Sequence, residues 1–258
     1  MSNNEYIRVS QTESIGIITL DRPEVFNALN RQMVKEIANQ LEAFDHDRQI
    51  SVIIVNGSGR MFAAGADISE MKDESPVSLE YADPFRDWER IMRIKKPMIA
   101  SVHGSALGGG FELALHCDCI IAAENSQFGF PEVTLGVLPG AGGTQLLTHA
   151  LGRRKALEII GLGTPISARY LYENGVVNVV FASEILHEET LQFARTFAKR
   201  PAVALRAIKE SVLAAEHQSI HDGMLFERKN FYLTFATDDQ KEGMNAFKEK
   251  RQPRFKGV

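Results

Sequence analysis

The sequence predicts an α/β fold: a covered, largely parallel sheet followed by a helical C-terminal region. Three observations predict it. Strand-like apolar runs alternate with helix-period segments through the first half of the chain. The run at 52–55 is continuously apolar, as a strand buried on both faces is. Beyond about Gly140, β-rich runs give way to helical ones.

Strand signals at 7–9 and 15–20 precede a helix beginning near Asn30, where Met33, Val34, Ile37, Leu41 and Phe44 recur at helical spacing. The strand at 52–55 ends in Asn56-Gly57-Ser58-Gly59. A polar stretch runs to Pro84, and a helix from about 85 to 95 stops before Pro97. A strand at 98–102 leads into a glycine-rich turn and a helix, and 120–123 is the next strand. Strands regularly separated by helices require crossover connections, which cover a parallel sheet. Past Gly140, helices are predicted at 144–151, 154–161, 187–199, 202–216, 221–235 and 240–250, with one β-type run at 176–181. No linker, low-complexity stretch or close repeat divides the chain, so it reads as one folded unit. The core spans 1–195 and the C-terminal helical region 196–258.

A chain of 258 residues with 44% hydrophobic content fills a proper core. Its 29 basic and 33 acidic residues leave a net charge of −4, and no long run of one sign marks a nucleic-acid footprint. Cys117 and Cys119 stand one residue apart, too close for an ordinary disulfide framework, which fits a reducing, cytoplasmic compartment. No stretch has signal-peptide character or bilayer-spanning length, so no membrane partner is expected.

Three segments carry the candidate chemistry. Met61-Phe62-Ala63-Ala64-Gly65-Ala66-Asp67-Ile68 follows the strand at 52–55. Its small residues permit close approach to the main chain, and free N–H groups there would donate to an anion or a polarised oxygen. A tight packed loop has the same composition. In Ala106-Leu107-Gly108-Gly109-Gly110-Phe111-Glu112 the glycines open a helix with unpaired amides, and Glu112 falls in its first turn. The spacing is not a dinucleotide fingerprint, because Leu113 stands where glycine or alanine is needed. Glu112 suits a capping acid as well as a functional one. In Phe128-Gly129-Phe130-Pro131-Glu132, ahead of Pro139-Gly140-Ala141-Gly142-Gly143-Thr144, a second carboxylate stands at a proline-marked turn, which is also an ordinary helix start. Together the segments offer two carboxylates in apolar settings near two sets of backbone donors. Hydration of a conjugated thioester needs such parts: donors for the charge growing on the thioester oxygen, one group to take a proton from water and one to supply a proton at C2.

These motifs, with Leu20-Asp21-Arg22-Pro23, Phe26-Asn27-Ala28-Leu29, Lys96-Pro97, Phe235-Ala236-Thr237-Asp238-Asp239 and Glu242-Gly243-Met244, resemble the enoyl-CoA hydratase/isomerase (crotonase) family over nearly the whole chain. The resemblance implies a crotonase-like spiral of repeated ββα units, with C-terminal helices that assemble a homotrimer or a dimer of trimers. It implies an enoyl-CoA hydratase of fatty-acid or related acyl-CoA degradation, acting without a cofactor because coenzyme A belongs to the acyl-CoA thioester substrate. It puts the oxyanion donors at the backbone of Ala66 and Gly109, the acid/base pair at Glu112 and Glu132, and Ala64, Gly65, Asp67 and Ile68 along the coenzyme A moiety. The alternatives are an enoyl-CoA isomerase on the same scaffold, which generally keeps one of the two carboxylates, and an RNA-binding relative.

Phe130 and Leu146 depart from the family's frequent glutamine and arginine, and Phe130 is expected to alter pocket shape or acyl-chain preference. His116, Cys117 and Cys119 lack a second ligand cluster, so no metal is expected. His103 is read as a packed or capping residue. Lys241, Lys248, Lys250, Arg251, Arg254 and Lys256 are candidates for coenzyme A phosphate contacts, most of them being solvated charges.

Overall fold

The computed structural model describes residues 4–257. Its main sheet has six strands in the order β1 (Ile7–Thr12), β2 (Ile15–Leu20), β3 (Val52–Gly57), β4 (Met98–Val102), β6 (Cys119–Ala123), β9 (Val179–Phe181). Only the β1–β2 hairpin is antiparallel; the other neighbours run parallel, with Ile54 level with Ile17 on one side and Ile99 on the other. Side chains alternate across the sheet. Ile53 and Val55 enter one core beside Met33, Ile37 and Leu41 of α1 (Arg31–His46), while Val52 and Ile54 enter a second with Leu186, Leu191 and Ala194 of α8 (Leu186–Ala198). Burial on both faces explains why these strands read as continuous apolar runs. Asn30 fixes the start of α1, its side chain accepting from the Met33 amide at 2.8 Å.

A second, three-stranded sheet sits where the parallel strands end: β5 (Ser105–Leu107), β7 (Gln127–Gly129) and β8 (Ile166–Ser167). The chain passes from β4 into β5 and then α4 (Gly109–Leu115), and from β6 into β7 and then a short 3-10 turn at Pro131–Leu135. Each passage is one strand–strand–helix unit, matching the expected spiral. The small sheet was not legible, because strands of two or three residues show no period. Two further short helices lie outside the expected elements: α2 (Pro76–Ala82), inside the polar stretch that ends at Pro84, and α7 (Ala168–Glu173). The helix expected at 85–95 is α3 (Arg86–Met92).

After α5 (Gly143–Leu151) and α6 (Arg153–Leu162), the chain ends in α9 (Ala202–Ala214), α10 (Ile220–Thr234) and α11 (Asp238–Glu249). Lys209 ties α9 to the core, donating to the Asp118 carboxylate at 2.7 Å and the Lys96 carbonyl at 3.0 Å. Met224, Leu225, Phe231, Tyr232 and Leu233 of α10 remain exposed.

Candidate active site

Residues 63–67 cross between two loops that fix their direction. The Leu29 amide donates to the Gly65 carbonyl at 2.7 Å, and the Asp67 amide to the Leu29 carbonyl at 2.9 Å. In such an extended pairing the residue between points its amide the other way. Among the described residues the Ala66 amide has no acceptor. On the opposite side, Ala63 exchanges hydrogen bonds with Ser105 and Leu107, carrying the loop against the turn into α4. There Gly65 adopts φ +110°, and its Cα faces the Gly108 Cα and Gly109 amide. The Gly109 amide, first in its helix, has no acceptor among the described residues either. Two free amides thus face one space.

Glu112 does not cap its own helix. Its side chain is only 3% exposed and crosses to the 139–143 loop, where Oε1 accepts from the Ala141 and Gly143 amides, each at 2.8 Å. Burial pushes its carboxyl up to about 7; the two amides pull the other way, and the charge of Glu132 adds to the rise. Glu132 reaches in from the 3-10 turn after β7. Burial raises its pKa also, and its Oε2 is buried without a hydrogen-bond partner among the described residues. Its other oxygen lies against Gly108: a Cβ there would stand 2.7 Å from Oε1, at a φ of +49° that side chains avoid. Glutamates from two successive units therefore flank the turn that presents the Gly109 amide.

The 139–143 loop has its own supports. The His116 ring, one helical turn beyond Glu112, bonds through Nε2 to the Ala141 carbonyl at 2.7 Å. A carbonyl only accepts, so the proton is on Nε2. Burial lowers the His116 pKa, which favours the neutral ring, against the opposing pull of the Ala141 carbonyl. Beneath Gly143 lies Phe130, fully buried and stacked on Phe111 at 4.9 Å; a Cβ at Gly143 would come within 2.6 Å of it.

A model of the enoyl-CoA hydratase/isomerase family matches residues 10–258. The chain belongs to this family. It is 45% identical over 251 residues to the probable enoyl-CoA hydratase echA8 of Mycobacterium tuberculosis (strain CDC 1551 / Oshkosh), covering 97% of this chain and 98% of that protein. It is 41% identical over 249 residues to the 2,3-dehydroadipyl-CoA hydratase of Escherichia coli (strain K12), covering 96% and 98%. Among solved structures, an enoyl-CoA hydratase subunit from Geobacillus kaustophilus HTA426 superposes with a TM-score of 0.98 at 53% identity, over 100% of both chains.

The family residues named from sequence fall into one region, with differing environments. Ala66 and Ile68 are exposed beside the free amides, whereas the Asp67 carboxylate is engaged, accepting from the Ser69 amide and hydroxyl and pairing with Arg22 at 3.2 Å. The Ser69 hydroxyl, with Arg22, holds Asp67 below the usual carboxylate range. Phe130 forms the floor under Gly143 and has no exposed surface. His103 bonds to the Gly59 carbonyl, as a packed histidine does. Cys117 is buried, its thiol directed at the Leu113 carbonyl. Sequence reasoning assigned no role to His116 or to the Ala141 and Gly143 amides. The glycine spacing at 140–143 signalled the amides; nothing local signalled the histidine.

Proposed function

We propose that the protein is an enoyl-CoA hydratase, adding water reversibly across the 2,3 double bond of a 2-enoyl-CoA thioester. The observation that carries this reading is the convergence of two partly desolvated glutamates beside two amides without acceptors. The thioester oxygen takes the Ala66 and Gly109 N–H groups, which stabilise the negative charge that grows there as oxygen adds at C3. C2 is one bond from that carbonyl carbon, and Glu132 is the carboxyl packed against the Gly108–Gly109 turn, so Glu132 supplies the proton to C2. Glu112 takes the proton from water. Its Oε1 is held by two amides, which favour the ionised form and leave Oε2 for the water. Water's oxygen ends on C3, its proton on Glu112 and the Glu132 proton on C2; dehydration reverses each transfer. Burial supports this cycle by raising both carboxyls above their ordinary range, that of Glu112 to about 7.

The coenzyme A moiety runs along residues 64–68 in this reading, and the chemistry calls on no further cofactor. We assign the exposed apolar side of α10 to assembly of a homotrimer or a dimer of trimers, since Met224, Leu225, Phe231 and Tyr232 form neighbouring stripes of a patch that is unusual on an isolated chain. No helix among the described residues is long and apolar enough to cross a membrane. A cytoplasmic place in acyl-chain degradation is consistent with that.

A panel of 2-enoyl-CoA thioesters of increasing chain length, with product analysis by mass spectrometry, tests the activity. Gain of one water is the expected outcome. Products of unchanged mass with a shifted double bond would replace hydration by isomerisation.

A further inference from the structure

A cavity of about 1260 Å³ opens at the far end of the molecule, lined by Ser14, Ser51 and Lys96, which lie just before β2, β3 and β4. Glu112 and Glu132 follow the opposite ends of β4 and its parallel neighbour β6, so the two sites lie at opposite ends of the main sheet's strands. The cavity wall carries Arg48, Lys96, Lys199, Arg200, Arg206 and Lys256, and no aspartate or glutamate. In a chain of net charge −4 this is a local inversion of sign.

Three observations separate this cluster from ordinary solvated charges. Among the described residues, none of the six cations forms an ion pair. Two are anchored by neutral groups instead: the Lys96 ammonium by the Phe44 and Asp47 carbonyls, and an Arg206 terminal nitrogen by the Asp45 carbonyl at 3.1 Å. The nearby carboxylates are occupied, Asp45 by the Lys95 and Lys96 amides and Asp47 by the Gln49 amide. Second, the Arg206 Nε is buried and without an acceptor among the described residues, so the Asp45 carbonyl is the one protein acceptor its guanidinium meets there. Third, α9 starts on this wall. Pro201 precedes it with no side-chain cap, and Ala202 and Val203 line the cavity, adding unpaired amides to the cations. Burial first, and then the Arg206 charge, press the Lys96 pKa down to about 8 against the opposing pull of the Asp45 and Asp47 carboxylates.

We propose that this cavity binds a phosphate-rich anion of the size of a triphosphate group, held by Arg206, Lys199, Arg200 and the first amides of α9. Guanidinium groups suit phosphate because they present paired N–H donors to its oxygens. The cavity is also large enough for a nucleoside attached to the phosphates. The site stands independently of the hydratase reading.

The test is calorimetric titration of the full-length protein with sodium tripolyphosphate at about 0.15 M salt, where nonspecific surface attraction is screened. Parallel titrations use Arg206→Gln and the exposed double variant Lys199→Gln/Arg200→Gln. One saturable site per chain is expected, with affinity falling at least about tenfold in each variant while thioester turnover is unchanged. Tighter binding of a nucleoside triphosphate than of tripolyphosphate would assign the nucleoside as part of the ligand; equal binding would assign the phosphates alone. Absence of saturable binding, or equal binding by the unsubstituted protein and the Lys199→Gln/Arg200→Gln variant, overturns the proposal. The double variant keeps the test decisive should Arg206→Gln fail to fold.

Discussion

Replacing Glu112 by glutamine preserves its volume, leaves a carbonyl oxygen to accept from Ala141 and Gly143, and removes a titrating group from the interior. In the native protein burial lifts this carboxyl from 4.5 to about 7. As pH rises from 4.5, the unfolded chain gives up its proton first, so the native state binds more protons than the unfolded state and stability falls. That loss is complete once the pH passes about 7. At about 1.4 kcal/mol for each pH unit separating 4.5 from 7, it comes to roughly 3 kcal/mol. Glutamine suffers no such loss. Urea unfolding at pH 4.5 and pH 8, at one protein concentration because assembly contributes to stability, therefore gives a Glu112→Gln variant that gains on the parent by up to about 3 kcal/mol toward pH 8. Its thioester hydration falls by about 10²–10⁴-fold at the same time. A stability difference that does not change with pH would refute the reasoning, since it would mean that the Glu112 charge is not desolvated in the native protein.

Two further substitutions probe the parts around the pair. Gly108→Ala places a Cβ 2.7 Å from Glu132 Oε1, so the carboxylate must retreat by about 0.7 Å to reach ordinary contact; a fall of about 100-fold in kcat is expected from steady-state kinetics. Gly152→Ala, also at positive φ but with nothing within 4 Å, keeps its activity and shows the backbone strain alone in its melting temperature. His116→Leu removes the donor to the Ala141 carbonyl and slackens the loop whose amides hold down the Glu112 pKa. We expect kcat at pH 7 to fall about tenfold with little change in KM, the pH profile to move toward higher pH, and His116→Gln to recover part of the loss through its own N–H donor.

Much of this architecture is written locally. Asn30 before Met33, Ile37 and Leu41 specifies a capped helix with one apolar face, and the run at 52–55 specifies a strand buried on both sides. The small sheet is different: β5 and β7 exist because the ends of β4 and β6 bring them together, a property of the assembled layer rather than of either segment. The site divides the same way. Two glutamates in apolar, glycine-rich settings are visible as side-chain chemistry, while the Ala141 and Gly143 donors are main-chain groups that any residue supplies. Asp67 shows the converse. The resemblance puts it along the coenzyme A moiety, while its carboxylate engages Ser69 and Arg22, partners 2 and 45 residues away that no local pattern signals.

The proposal that Glu112 and Glu132 share one hydration, the first acting on water and the second at C2, is tested most directly by a double-mutant cycle on turnover. Glu112→Gln, Glu132→Gln and the combined variant are compared with the parent on one 2-enoyl-CoA. If the two carboxyls act as a unit, each single variant loses about 10²–10⁴-fold and the combined variant is little slower than the worse of them. Single losses that multiply in the combined variant, or a single variant that hydrates at the parent rate, would contradict the shared role.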